Sequence, residues 1–180
     1  MRVSIIFLIF ISCQSDYTPK PKAYFKINFP EKKYILLEDE KIDFSFKYPV
    51  YSEIDIKSNS KFIDVRFPEF HGTLHLTYVN LKGNLSDHIE QSRTLAYKHN
   101  NQADAISEQV FISSIDNVYG MLYDYSGVTA TSSQFYLTDS INHFFRGSFY
   151  FNTEINDSIA PINIFIKEDI RFLIESLRWR

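Results

Sequence analysis

The chain has 180 residues, with 19 Lys and Arg against 22 Asp and Glu and a formal net charge of -3. That length suits one domain with a sizeable core, and 44% hydrophobic and 23% charged residues fit neither intrinsic disorder nor a basic nucleic-acid footprint. A single cysteine, Cys13, leaves no internal disulfide and no thiolate cluster for zinc or iron-sulfur chemistry, while 17 Phe and 12 Tyr lean toward strands around an aromatic core.

Arg2 precedes an apolar run over residues 3–11, which is too short to cross about 30 Å of hydrocarbon as a helix and has the length of a signal-peptide core. Ser12 is small and precedes Cys13, so Phe10-Ile11-Ser12-Cys13 resembles the lipobox of bacterial lipoproteins, with Phe10 where Leu is usual. The competing reading is a buried N-terminal strand. On the first reading residues 1–12 are a signal peptide, Cys13 carries lipid, and the membrane is held through acyl chains contributing about 0.8 kcal/mol per buried CH₂. Residues 13–23 include Pro19 and Pro21 and form an extended tether; a single α+β domain is expected over residues 24–180.

Residues 24–29 begin a strand-like pattern that stops at Pro30. Ile42, Phe44, Phe46 and Tyr48 then alternate with polar residues up to Pro49, and Ile63, Val65, Phe67 and Leu74, Leu76, Tyr78 repeat that period of two. A helix over residues 85–99, capped by Asn84 or Ser86, is expected from Leu85, Ile89, Leu95 and Ala96. Strands follow over residues 105–113, 118–125, 128–137 and 144–151, with a tight turn at Ser126-Gly127. Pro161 opens a C-terminal helix whose apolar stripe runs through Ile162, Phe165, Ile166, Ile170, Leu173, Ile174 and Leu177, with Trp179 closing the end. Asn163, Lys167, Glu168, Arg171 and Glu175 take its other face.

Chemistry-bearing constellations are sparse. His71 and His75 share a strand face but stand roughly 13 Å apart at about 3.3 Å per residue, too far to share one ion. His88 and His99 read as solvated helix positions. His143 and Arg146, near a turn, are candidates for recognising a carboxylate or phosphate, because Arg presents a fork of donors. Nucleophile-elbow and phosphate-loop motifs are missing, and the acidic residues at 38–40 and Asp157 fall in polar loops; no metal, cofactor or catalytic set is expected.

Several long strings are more specific than any short motif: residues 16–22 (DYTPKPK), 29–34 (FPEKKY), 92–99 (SRTLAYKH), 103–106 (ADAI), 134–139 (QFYLTD) and 165–170 (FIKEDI). Their wording resembles the GldD-type gliding-motility lipoproteins of the Bacteroidetes from Cys13 onward. The resemblance implies a membrane lipoprotein tied to type IX protein secretion, partnered by other gliding and secretion subunits, with no established enzymatic activity. Some members carry a cysteine pair where this chain has Ile42 and Lys61, so any disulfide there is absent and packing must hold the domain. The element order also resembles the α/β/α sandwich of Mog1 and PsbP-type proteins, an antiparallel β-sheet covered by helices.

The expectation is therefore a non-enzymatic, membrane-anchored subunit that assembles or scaffolds the machinery, facing the periplasm. The rival is a ligand-binding or hydrolytic domain using a surface site of His71, His75, His143 and Arg146. Mass spectrometry of the purified N-terminus should find an acylated Cys13, and Cys13→Ala should move the protein from the membrane to the soluble fraction.

Overall fold

The computed structural model describes residues 26–57, 61–98, 103–127, 129–153 and 159–180. The signal peptide, Cys13, the tether, Tyr24, His99, Val128 and Asp157 lie outside the described residues.

Seven strands form the main sheet: β3 (Glu53–Ile56), β4 (Phe62–Phe67), β5 (Gly72–Asn80), β6 (Ala105–Ser113), β7 (Val118–Ser126), β8 (Thr131–Thr138) and β9 (His143–Phe151). Their order is β3-β4-β5-β9-β8-β7-β6, and every neighbouring pair is antiparallel. A second, three-stranded antiparallel sheet orders β1 (Tyr34–Leu37), β2 (Phe44–Pro49) and β10 (Arg178–Trp179) as β1-β2-β10. Helix α1 (Leu85–Tyr97) joins β5 to β6, and helix α2 (Ala160–Ser176) precedes β10.

Alternation assigns the two faces of the main sheet. On β7, Leu122 joins the large core with Phe135, Phe145 and Phe149, together with Phe44 and Phe46 of β2 and Ile166, Ile170 and Leu173 of α2. Its neighbours Tyr123 and Tyr125 point the other way and form a small cluster with Ala96 of α1. Thus α2 and the small sheet cover one face and α1 covers part of the other, which is an α/β/α arrangement with a dense aromatic interior on the α2 side. Backbones approach closely there: a Cβ on Gly147 would stand 2.3 Å from the Phe135 ring, so glycine is required on β9 at that point.

The expected helix and strand positions recur with small boundary shifts, and α2 begins with Pro161 in its first turn as expected. Two expectations fail locally. Residues 26–33 form no strand, because no neighbouring strand pairs with them; Phe29 instead stacks on Phe165 of α2 at 4.4 Å. Asn84 occupies the N-cap position of α1 without capping it, its side chain being engaged by the Lys82 amide (3.0 Å) and by His88 Nε2 (3.1 Å).

The segment leading into β1 is tied to α2 by a buried carboxylate. Asp169 is 2% exposed, and its Oδ1 accepts from Lys32 Nζ (2.9 Å) and the Tyr34 hydroxyl (2.8 Å) while Oδ2 accepts from the Tyr51 hydroxyl (2.5 Å). Lys32 also donates to the Phe165 carbonyl (2.8 Å) and sits 4.1 Å over the Phe165 ring, and Tyr34 stacks on Phe172 at 3.9 Å. Burial, reinforced by the Asp169 hydrogen bond and charge, pushes both phenols well above their usual range, so they remain protonated donors. The strings 29–34 and 165–170 therefore meet in space.

A buried charge stripped of its partners, or partners stripped of their charge, costs several kcal/mol. Asp169→Ala should lower unfolding free energy by about 3 kcal/mol and Tyr51→Phe by about 1 kcal/mol in urea titrations of the full chain. Asp169→Ala should also expose residues 26–33 to limited proteolysis.

Candidate functional site

The strand register lays out the α1-side face of the main sheet in rows. Asp64, His75, Ser148 and Gln134 stand in one row across β4, β5, β9 and β8, and Thr77, Arg146 and Tyr136 in the next. Toward β3 the face is a ladder of opposite charges: Arg66 and Lys57 both pair with Asp55, Lys57 reaches Asp64 (3.3 Å), and Asp64 Oδ1 meets His75 Nδ1 (2.7 Å). Each member satisfies the next near solvent, where such pairs contribute little.

Beyond His75 the pattern changes. Arg146 is partly buried on β9, and its Nη2 donates to Gln134 Oε1 at 2.8 Å. Among the described residues no carboxylate lies within ion-pair distance of it. Burial pulls its guanidinium below the ordinary arginine value, with Tyr150 and Tyr125 acting the other way. Beside it, Gln134 Nε2 and Ser148 Oγ are buried and have no hydrogen-bond partner among the described residues. Arg146 also lines a cleft of about 170 Å³ between α1 and the sheet, with Thr77 and Val79 of β5, His88, Gln91, Ser92 and Leu95 of α1, and Phe144 of β9; His88 is half-buried there, stacked on Phe144 at 5.1 Å, rather than freely solvated.

The other sequence candidates do not converge on this place. His71 closes the short helical turn Pro68–Phe70 in a left-handed conformation (φ 49°) and is exposed. His143 cannot pair with Arg146, because three residues apart on a strand means opposite faces. It lies on the far side of the sheet, stacked flat on Trp179 (5.0 Å, 8°), with Nδ1 2.6 Å from the Tyr78 hydroxyl, which itself reaches Asp43 at 3.2 Å. Only His75 and Arg146 share a face, in adjacent rows. No group of three or more His, Cys, Asp or Glu among the described residues is placed to hold a metal ion.

Sequence reasoning missed Gln134, Ser148 and Asp64. The signal lay in the strings: residues 134–139 begin with Gln134 and end with Asp139, and residues 92–99 contain Ser92 and Leu95 of the cleft.

The solution structure of the cyanobacterial PsbP protein CyanoP from Synechocystis sp. PCC 6803 is similar to this chain with a TM-score of 0.54 at 11% identity, covering 87% of this chain and 98% of that one. A crystal structure from Bacteroides thetaiotaomicron VPI-5482 aligns with a TM-score of 0.39 at 14% identity, covering 81% of this chain and 48% of that one. No curated protein matches the chain. The fold is thus a PsbP-like sandwich, with two antiparallel sheets and two helices among the described residues. The gliding motility lipoprotein GldD family matches residues 14–179, and the chain belongs to that family. It is therefore a membrane-anchored lipoprotein of the cell envelope with a role in gliding motility.

Asp139 offers a pH test of the loop that orients His143. Its Oδ1 accepts the backbone N–H groups of Ile141 (3.0 Å), Asn142 (2.8 Å) and His143 (2.8 Å). Burial opposes ionisation, but these donors outweigh it and hold the carboxyl below its usual value. A depressed folded value stabilises above the unfolded value of about 3.9 and is lost as pH falls through the folded one. Asp139→Asn should therefore show a smaller drop in Tm than wild type between pH 5 and about pH 3.

Proposed function

We propose that this protein is a non-enzymatic subunit, anchored by lipid on Cys13 and facing the periplasm, that assembles or scaffolds the gliding machinery and the type IX secretion tied to it. The observation that carries the reading is the family match, which runs over residues 14–179 and starts at the position after Cys13. From Cys13 to Lys26 the chain has thirteen Cα steps, a reach of at most roughly 45 Å. Residues 29–34 are fastened to α2 through Asp169, so a pull on the anchor would be delivered to the folded body through a buried contact. A part that transmits position or force needs such a root; a freely diffusing enzyme does not.

The hydrolytic version of the rival reading finds little support, since His143 and Arg146 lie on opposite sides of β9 and the acidic residues near His75 are spent on ion pairs. Deleting the gene should abolish colony spreading and secretion of type IX cargo. A copy with His71, His75 and His143 all changed to Ala should restore both, and the Cys13→Ala copy should restore neither. A deletion strain that still glides and secretes overturns the proposal.

A further inference from the structure

Among the charged residues of the sheet face, Arg146 stands apart because no carboxylate among the described residues lies within ion-pair distance of it. The ladder from Asp55 to His75 closes on itself, whereas Arg146 holds Gln134 and keeps further guanidinium donors uncommitted among the described residues. A partly buried cation without an acid bears a desolvation cost that an anion would relieve. Gln134 Nε2 and Ser148 Oγ, also unpartnered among the described residues, stand beside it on the sheet behind the cleft lining.

The rest of the cleft describes the remainder of the ligand. Val79, Leu95 and Phe144 give it apolar walls, and Thr77, Ser92, Gln91 and His88 add polar groups. At about 170 Å³ the space lies below the usual range for drug-sized ligands and suits a molecule no larger than an amino acid. Arg146 carries the one permanent charge among the lining residues, and its fork matches the two oxygens of a single carboxylate.

We propose that the cleft between α1 and strands β5 and β9 binds a small free carboxylate with a short apolar body, its carboxylate forked by Arg146 and its tail against Val79, Leu95 and Phe144. Gln134 is a positioning residue that orients the guanidinium through its 2.8 Å hydrogen bond. This goes beyond the scaffolding reading and does not depend on it.

The test is calorimetric titration of the full-length lipoprotein in detergent with butyrate, alongside butyramide and inorganic phosphate. Butyrate should bind and the other two should not compete with it. Arg146→Lys, which keeps the charge but loses the fork, should weaken butyrate by about tenfold, and Arg146→Gln should abolish binding. Leu95→Trp, which fills the cleft and leaves Arg146 in place, should abolish it too, so the test survives a poorly folding Arg146→Gln. Absence of butyrate binding, equal binding of butyramide, or unchanged affinity in Arg146→Lys and Leu95→Trp overturns the site.

Discussion

A buried carboxylate on an otherwise apolar helix is the constraint on which the chain's assembly turns. Asp169 sits among Ile166, Ile170 and Leu173 on α2 and is acceptable there only because Lys32, Tyr34 and Tyr51 supply a cation and three donors. Those donors come from the segment entering β1 and from the turn after β2, so satisfying one charge draws two N-terminal segments onto a helix more than a hundred residues further along the chain. The aromatic contacts of Phe29 and Tyr34 with Phe165 and Phe172 form around the same point. Whatever anchors the N-terminus is mechanically continuous with the main core.

The sheet then separates two environments. Its α2 side is packed with aromatic rings, with Phe46, Phe145 and Phe149 fully buried. Its α1 side is only partly covered, because one thirteen-residue helix cannot span seven strands. The uncovered part is held in solution by interlocked charges, and the boundary between covered and uncovered surface is where Arg146 and the cleft lie. The anchored segment and the cleft are thus on opposite faces, which leaves each free to act without obstructing the other.

A motility lipoprotein on a PsbP-like sandwich is a case of a common fold put to a local use. A fold by itself does not specify an activity. What distinguishes this chain is where its unmatched polar groups fall: the Arg146 region is unsatisfied, whereas the His143 region, with Tyr78, Asp43 and Trp179, is internally completed. Completed networks hold structure together, and incomplete ones are the places where a partner or ligand has something to offer.

The sequence by itself determined the period-two and period-3.6 patterns, and through them the long strands, both helices and the family wording, because burial of one face repeats at a fixed interval along each element. The alternation on β9 even held the reason that His143 and Arg146 part company. Only the tertiary structure decided the rest. Strands β1, β3 and β10 have two to four residues and exist because a neighbour pairs with them. Asp169 reads as one more polar helix residue until Tyr34 and Tyr51 close over it. Arg146 became distinctive when register set it beside Gln134 and, among the described residues, out of ion-pair distance of any acid. Each of these depends on contacts between residues distant in sequence, and local periodicity carries no information about which distant group will arrive.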